Sequence, residues 1–153
     1  MRDSERSQWL LVESGGHACA LPLACVRETM RPLPLERLGG VPNFVLGLAV
    51  IRGSSVPVVD LAALLERPNP EQRFGRFLTL AVNGREVALA VEAVRGVSRL
   101  ENGVFDALPP LLGGAGSAAV KALALHDSEL LLVLEASRLV PDESVLRKGA
   151  EAS

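Results

Sequence analysis

Tyrosine is absent from this chain, tryptophan occurs once, and aromatic residues make up only 3% of it. Surfaces that bind single-stranded nucleic acid stack bases on aromatic platforms, and so small a supply cannot build one. Positive charge is not in excess either, since the formal net charge is −2. The electrostatic footprint of a phosphate-backbone binder is therefore missing, and nucleic acid is excluded as a partner class. Long hydrophobic runs are lacking as well. The longest apolar run, with one Gly inside it, is Phe44 to Ile51, far short of the roughly 20 residues that cross a bilayer as a helix. The first residues, Met1 to Trp9, carry charges but lead into no signal-peptide hydrophobic region. The expectation is a cytoplasmic chain with no direct membrane insertion.

Residues that carry chemistry are few. Cys19 and Cys25 are the only cysteines and do not form a CxxC pair, so they are read as small hydrophobes. His17 and His126 are the only histidines, each on a strand near a turn. Ser54 and Ser55 follow Gly53, but no G-x-S-x-G elbow surrounds them. The Gly-rich stretch from Leu112 to Ser117 lacks both the Gly-Lys-Ser/Thr ending of a phosphate loop and the dinucleotide spacing. Glu86, Glu92, Glu101, Asp106 and Glu129 are scattered over strand ends and loops. No His, Cys, Asp and Glu cluster has metal-ligand spacing. The chain is read as non-enzymatic, with no cofactor and no metal.

What is present is strand. Hydrophobic residues reach 48%, and they fall in short runs separated by turn residues. Trp9–Val12 and His17–Leu21 flank Glu13-Ser14-Gly15-Gly16, and Phe44–Arg52 and Val56–Val59 flank Gly53-Ser54-Ser55. Phe77–Val82 and Arg85–Val91 flank Asn83-Gly84, the residue pair best suited to a turn with two positive φ angles. Val120–His126 and Glu129–Leu134 flank Asp127-Ser128, and Val94–Leu100 is a further strand ending near Asn102-Gly103. These short strands predict an all-β barrel or sandwich. Helices are short: Asp60 caps Leu61–Leu65 before Pro68 and Pro70, Leu23–Thr29 is a turn or short helix, and Ala136–Val140 is a last turn before Pro141. Glu66–Arg76 and Leu108–Ala119 are long loops, and no internal repeat is visible. In Phe44–Ile51 both alternating sets are apolar, which marks a strand buried on both faces, either inside the protein or against a partner.

The segment Pro42-Asn43-Phe44-Val45-Leu46-Gly47-Leu48-Ala49-Val50-Ile51-Arg52-Gly53-Ser54-Ser55-Val56-Pro57-Val58-Val59-Asp60-Leu61 resembles the signature of CheW-like domains. Cys25-Val26-Arg27-Glu28 and Pro34 resemble the family's Val-x-Glu turn and proline, Arg85–Arg99 its paired strands, and Val120–Val140 its closing hairpin. The likeness runs from Gln8 to Val140. It implies two interleaved five-stranded SH3-like β-barrels over 8–141, followed by a polar tail at 142–153. It also implies an adaptor that couples the signalling tip of a chemoreceptor to the regulatory domain of a CheA-type histidine kinase. Other CheW-like domains are implied as further partners, in receptor arrays at the membrane.

Position by position, Arg52 matches the family's Arg before Gly53, and Glu28 its acidic partner. Val26 and Gly47 match positions that the resemblance associates with receptor binding. Gly47 is expected to lie against a neighbouring backbone or a receptor helix, so that Gly47→Asp abolishes binding while the fold survives. Val50 stands where the family often has Asn, and Ala122 where it often has Gly; the Val makes the seam between the barrels more apolar. The residues Val26, Glu28, Gly47, Val50, Arg52 and Gly53 form the candidate site. A small-molecule-binding β-barrel and a detached kinase regulatory domain are the alternatives.

Overall fold

Four two-residue turns set the strand registers, and each holds both central residues at positive φ. They are Gly15-Gly16 (59° and 75°), Arg52-Gly53 (53° and 80°), Asn83-Gly84 (52° and 77°) and Asp127-Ser128 (50° and 66°). This backbone matches the right-handed twist of paired strands, so the hairpins close without splaying. The computed structural model describes residues 8–67, 73–100 and 119–142. Its hairpins are β1 (Gln8–Ser14) with β2 (His17–Pro22), β4 (Val45–Ile51) with β5 (Ser54–Asp60), β6 (Arg76–Val82) with β7 (Arg85–Val91), and β9 (Val120–His126) with β10 (Glu129–Leu134). Two turns are shorter than the sequence suggests, because Ser14 completes β1 and Ser54 and Ser55 open β5.

Two single strands, β3 (Val26–Met30) and β8 (Ala93–Arg99), bring the described strands to ten. At Leu23–Thr29 the expected turn or helix is a 3₁₀ turn over Leu23–Cys25 only. The rest is strand because β6 offers it a ladder, in which Glu28 faces Thr79 and Met30 faces Phe77. The other helical elements among the described residues are α1 (Leu61–Leu64) and a 3₁₀ turn at Ala136–Arg138. Asp60 caps α1, its Oδ1 accepting from the Ala63 amide at 3.3 Å. Burial raises the pKa of that carboxyl, and the helix amides oppose the shift. Among the described residues, no helix is long and apolar enough to cross a membrane. Pro68, Pro70, Asn102-Gly103, Leu112–Ser117 and the tail beyond Asp142 lie outside the described residues.

The strands form two five-stranded sheets, ordered β8-β1-β2-β10-β9 and β3-β6-β7-β5-β4. The chain begins in the first sheet, lays five consecutive strands in the second, and returns. Each sheet has one parallel contact, β2 with β10 and β5 with β7. The two halves of the chain repeat each other strand for strand. A bulge between the pairs Val12–Val94 and Leu11–Gly96 corresponds to one between Leu80–Val26 and Thr79–Glu28. Another, between Leu134–Val120 and Val133–Ala122, corresponds to Val59–Val45 and Val58–Gly47. In the parallel pairs, Val133 beside Ala20 matches Val58 beside Ala88. Even the links agree, since Asp60 N donates to Phe44 O and Glu135 N to Ala119 O, both at 2.8 Å. The sequence hides this repeat because equivalent sites keep the apolar period and little else, as with Trp9 and Phe77 or Val12 and Leu80.

Alternation along the strands divides the core into three layers. Trp9, Leu11, Ala18, Ala20, Leu131 and Val133 belong to a cluster that joins first-sheet strands. Ala49, Ile51, Val58, Phe77, Ala88 and Ala90 form its counterpart within the second sheet. A sheet can bury one face against itself only by curling, so each sheet is a small barrel. Intervening residues face the other way and meet between the barrels: Leu10, Cys19 and Leu132 from one, Leu78, Leu89 and Val91 from the other. The seam is thus made by β1, β2 and β10 against β5, β6 and β7. This corrects the placement of Phe44–Ile51 there: β4 is an edge strand, and Val50 on it is 70% exposed.

Candidate functional site

The bulge in β3 places Glu28 opposite Thr79, and the β4–β5 turn places Arg52 at its first central position. β3 and β4 are opposite edges of the second sheet, and curling brings the two residues together. Arg52 Nε donates to Glu28 Oε1 and Arg52 Nη2 to Glu28 Oε2, each at 2.9 Å. The pair is bidentate, the geometry in which a guanidinium fork matches a carboxylate best. Farther along the same edges, Glu36 and Leu48 exchange two backbone hydrogen bonds of 2.8 Å, so the closure has a backbone rung and an ionic latch.

The latch faces solvent. The Arg52 side chain is 80% exposed and that of Glu28 is 32% exposed. Arg52's hydrogen bond lowers the pKa of Glu28 below the ordinary carboxylate value. Glu28 in turn raises that of Arg52, and the charge of Glu86 adds to the effect. Both groups are ionised at neutral pH. At an exposed position such a pair adds little to stability and acts mainly by orienting charge.

The remaining sequence-selected residues divide. Gly53 shares the turn with Arg52, and a Cβ there would meet nothing within 4 Å. Val50 stands on the exposed side of β4, across from Ser55. With Glu28 and Arg52 these make one corner carrying an ion pair and an apolar side chain. Val26 is half-buried against the seam core. Gly47 is buried, and a Cβ on it would fall 2.3 Å from the Glu36 carbonyl oxygen and 3.2 Å from Arg37 Cα. The neighbour that demands a glycine is therefore the chain's own backbone, which corrects the expectation that Gly47→Asp leaves the fold intact.

The first barrel has a polar closure that the sequence reading passed over. Arg95 Nε donates to Glu13 Oε1 at 2.9 Å, and its Nη2 to Glu129 Oε2 at 3.0 Å. Glu129, read as a lone solvated carboxylate, is thus paired, and Arg95 lowers its pKa. Ser98 Oγ lies 3.0 Å from His126 Nε2 and joins edge strands β8 and β9. At the equivalent sites of the second barrel stand Met30 and Ile51, both packed in its core. Leu125 and Leu130 face each other across β9 and β10 and remain 63% and 53% exposed. A sequence signal existed for these, since Ser98, His126 and Glu129 all border a turn or an edge.

A cavity of about 420 Å³ opens beside Phe44, Leu64, Arg85, Ser137 and Val140. Arg85 Nη2 donates to the Pro141 carbonyl at its rim. Arg138 and Asp142 also line it. Among the described residues no group of three His, Cys, Asp or Glu could hold a metal ion.

Comparison with known proteins gives a consistent answer. The CheW-like domain family model matches residues 8–144. Protein FrzA of Myxococcus xanthus is 36% identical over 101 residues, covering 64% of this chain but only 61% of FrzA. Chemotaxis protein CheW of Thermotoga maritima is 27% identical over 123 residues, covering 80% of this chain and 76% of that protein. Among solved structures, the scaffolding protein TtCheW from Thermoanaerobacter tengcongensis superposes with a TM-score of 0.76 at 19% identity, over 85% of this chain and 89% of that one. This last likeness is one of fold.

Proposed function

The chain belongs to the CheW-like domain family, whose members are non-catalytic scaffolds of chemotaxis-type signalling, and from this we propose that it couples chemoreceptor signalling tips to the regulatory domain of a CheA-type histidine kinase. The observation that carries the reading is the Glu28–Arg52 latch. A bidentate pair that exposed contributes little to folding, yet the turn accepts an Arg at φ 53° to form it. Partner binding gives that arrangement a use. Arg52 and Glu28 present oriented charge, Val50 supplies an apolar contact beside them, and Gly53 leaves the corner open to a helix. Val26 and Gly47 act from beneath, by fixing the start of β3 and the approach of residues 36–37 to β4.

On this reading residues 8–141 work as one domain of two interleaved barrels. The two barrels give two ends to dock, one for the kinase regulatory domain and one for a further CheW-like domain, and the protein is held in the cytoplasm at receptor arrays. Co-capture tests it. Immobilised chain should retain both a receptor signalling fragment and a kinase regulatory domain, and Arg52→Glu should lose the receptor fragment first. Retention of neither would reject the adaptor assignment.

A further inference from the structure

Every strand pairing that is not a local hairpin joins residues 8–67 to residues 73–142. β1 pairs with β8, β2 with β10, β3 with β6, and β5 with β7. Inside the first half the ladders are β1–β2 and β4–β5, with the single bridge between Glu36 and Leu48. Inside the second they are β6–β7 and β9–β10. Neither half builds a ladder wider than a hairpin, which is marginal in water without further strands or packing. The seam is composite as well, with Leu10, Cys19 and Leu21 of one half against Leu78, Leu89 and Leu132 of the other. Each half therefore needs a second half, and only residues 68–72 tie the two described halves together in sequence.

We propose that the missing half can come from a second copy of this chain, so that two chains exchange residues 73–142 and form a reciprocal dimer. Each lobe of that dimer pairs the first half of one copy with the second half of the other. All the described ladders and the whole seam recur in it, and the entropy of association sets it apart from the monomer. In the monomer the tether holds the second half at an effective concentration on the order of millimolar. The monomer therefore prevails in dilute solution, and refolding at high protein concentration populates the dimer. Once formed, the dimer can revert only by breaking the four inter-half ladders and the seam.

The test uses the full chain. Refolding from denaturant over a series of protein concentrations should give a species of twice the monomer mass whose share grows with concentration. When isolated and diluted, that species should persist for hours with the monomer's circular dichroism spectrum. A second arm refolds two differently tagged full-length variants together, Gly47→Leu in the first half and Leu89→Asp in the second. Exchange places both intact halves in one lobe, so the mixture should yield a species bearing both tags and about half the native strand signal. Monomer at every concentration, a dimer that falls apart on dilution, or failure to recover both tags in one species would overturn the proposal.

Discussion

Arg52 reaches from the β4–β5 turn to grip Glu28 on β3 with two hydrogen bonds of 2.9 Å, tying together the two edges of the second barrel. The grip costs backbone comfort, because Arg52 sits at φ 53°, a region that favours Gly and Asn. The same chain uses Asn83-Gly84 at an equivalent kind of turn. Keeping Arg where Asn fits better points to a demand placed on the side chain, and that demand can be measured apart from folding.

Arg52→Asn should leave the melting temperature equal to the parent's or up to about 3 °C above it, since Asn-Gly is the preferred turn. The same substitution should weaken receptor binding. A clear fall in melting temperature would mean that Arg52 serves the fold.

Charge reversal tests the pair as a unit. Arg52→Glu places two carboxylates together and should lower receptor affinity by roughly tenfold, with a reduced salt dependence of association. Combining it with Glu28→Arg should recover part of the loss, read from a double-mutant cycle. Strictly additive losses would show that the two residues act separately.

Gly47→Ala sets a Cβ against the Glu36 carbonyl and should cost about 2–4 kcal/mol in denaturant unfolding. Gly53→Ala meets open space at φ 80°, and only the left-handed backbone opposes it, at a cost of about 1 kcal/mol. Equal effects at the two sites would contradict the crossing of residues 36–37 over β4.

Cys19 lies in the seam, where burial pushes its thiol up from 9.0 to about 12, with a small opposing effect from Arg67. Below pH 9 the thiol is protonated in both folded and unfolded chains. Between 9 and about 12 the unfolded chain ionises it and the fold does not, so stability falls as pH rises through that window. The fall should be on the order of 1 kcal/mol per pH unit. In Cys19→Ala this part of the alkaline decline should vanish, and an unchanged slope would place Cys19 outside the seam.

Much of this was legible beforehand because the turns declare themselves. Asn83-Gly84 and Asp127-Ser128 fix their hairpins to the residue, and Asp60 marks the start of α1. The Arg52–Glu28 partnership was legible only through resemblance, since nothing local links two residues on opposite sheet edges. Three features were not legible. β3 reads as a turn because its partner β6 lies far along the chain. Val50 reads as a seam residue because composition cannot tell an edge strand from a central one. The repeat escapes because register and bulges, rather than residue identities, carry it.

The adaptor role is tested most directly by calorimetric titration of this chain with a receptor signalling fragment, with a CheA-type regulatory domain, and with the two together. The expected result is saturable binding to each at about micromolar strength, a ternary complex when both are present, and loss of the receptor arm alone in Arg52→Glu. Binding to neither partner by a chain whose strand content and cooperative melting are intact would contradict it.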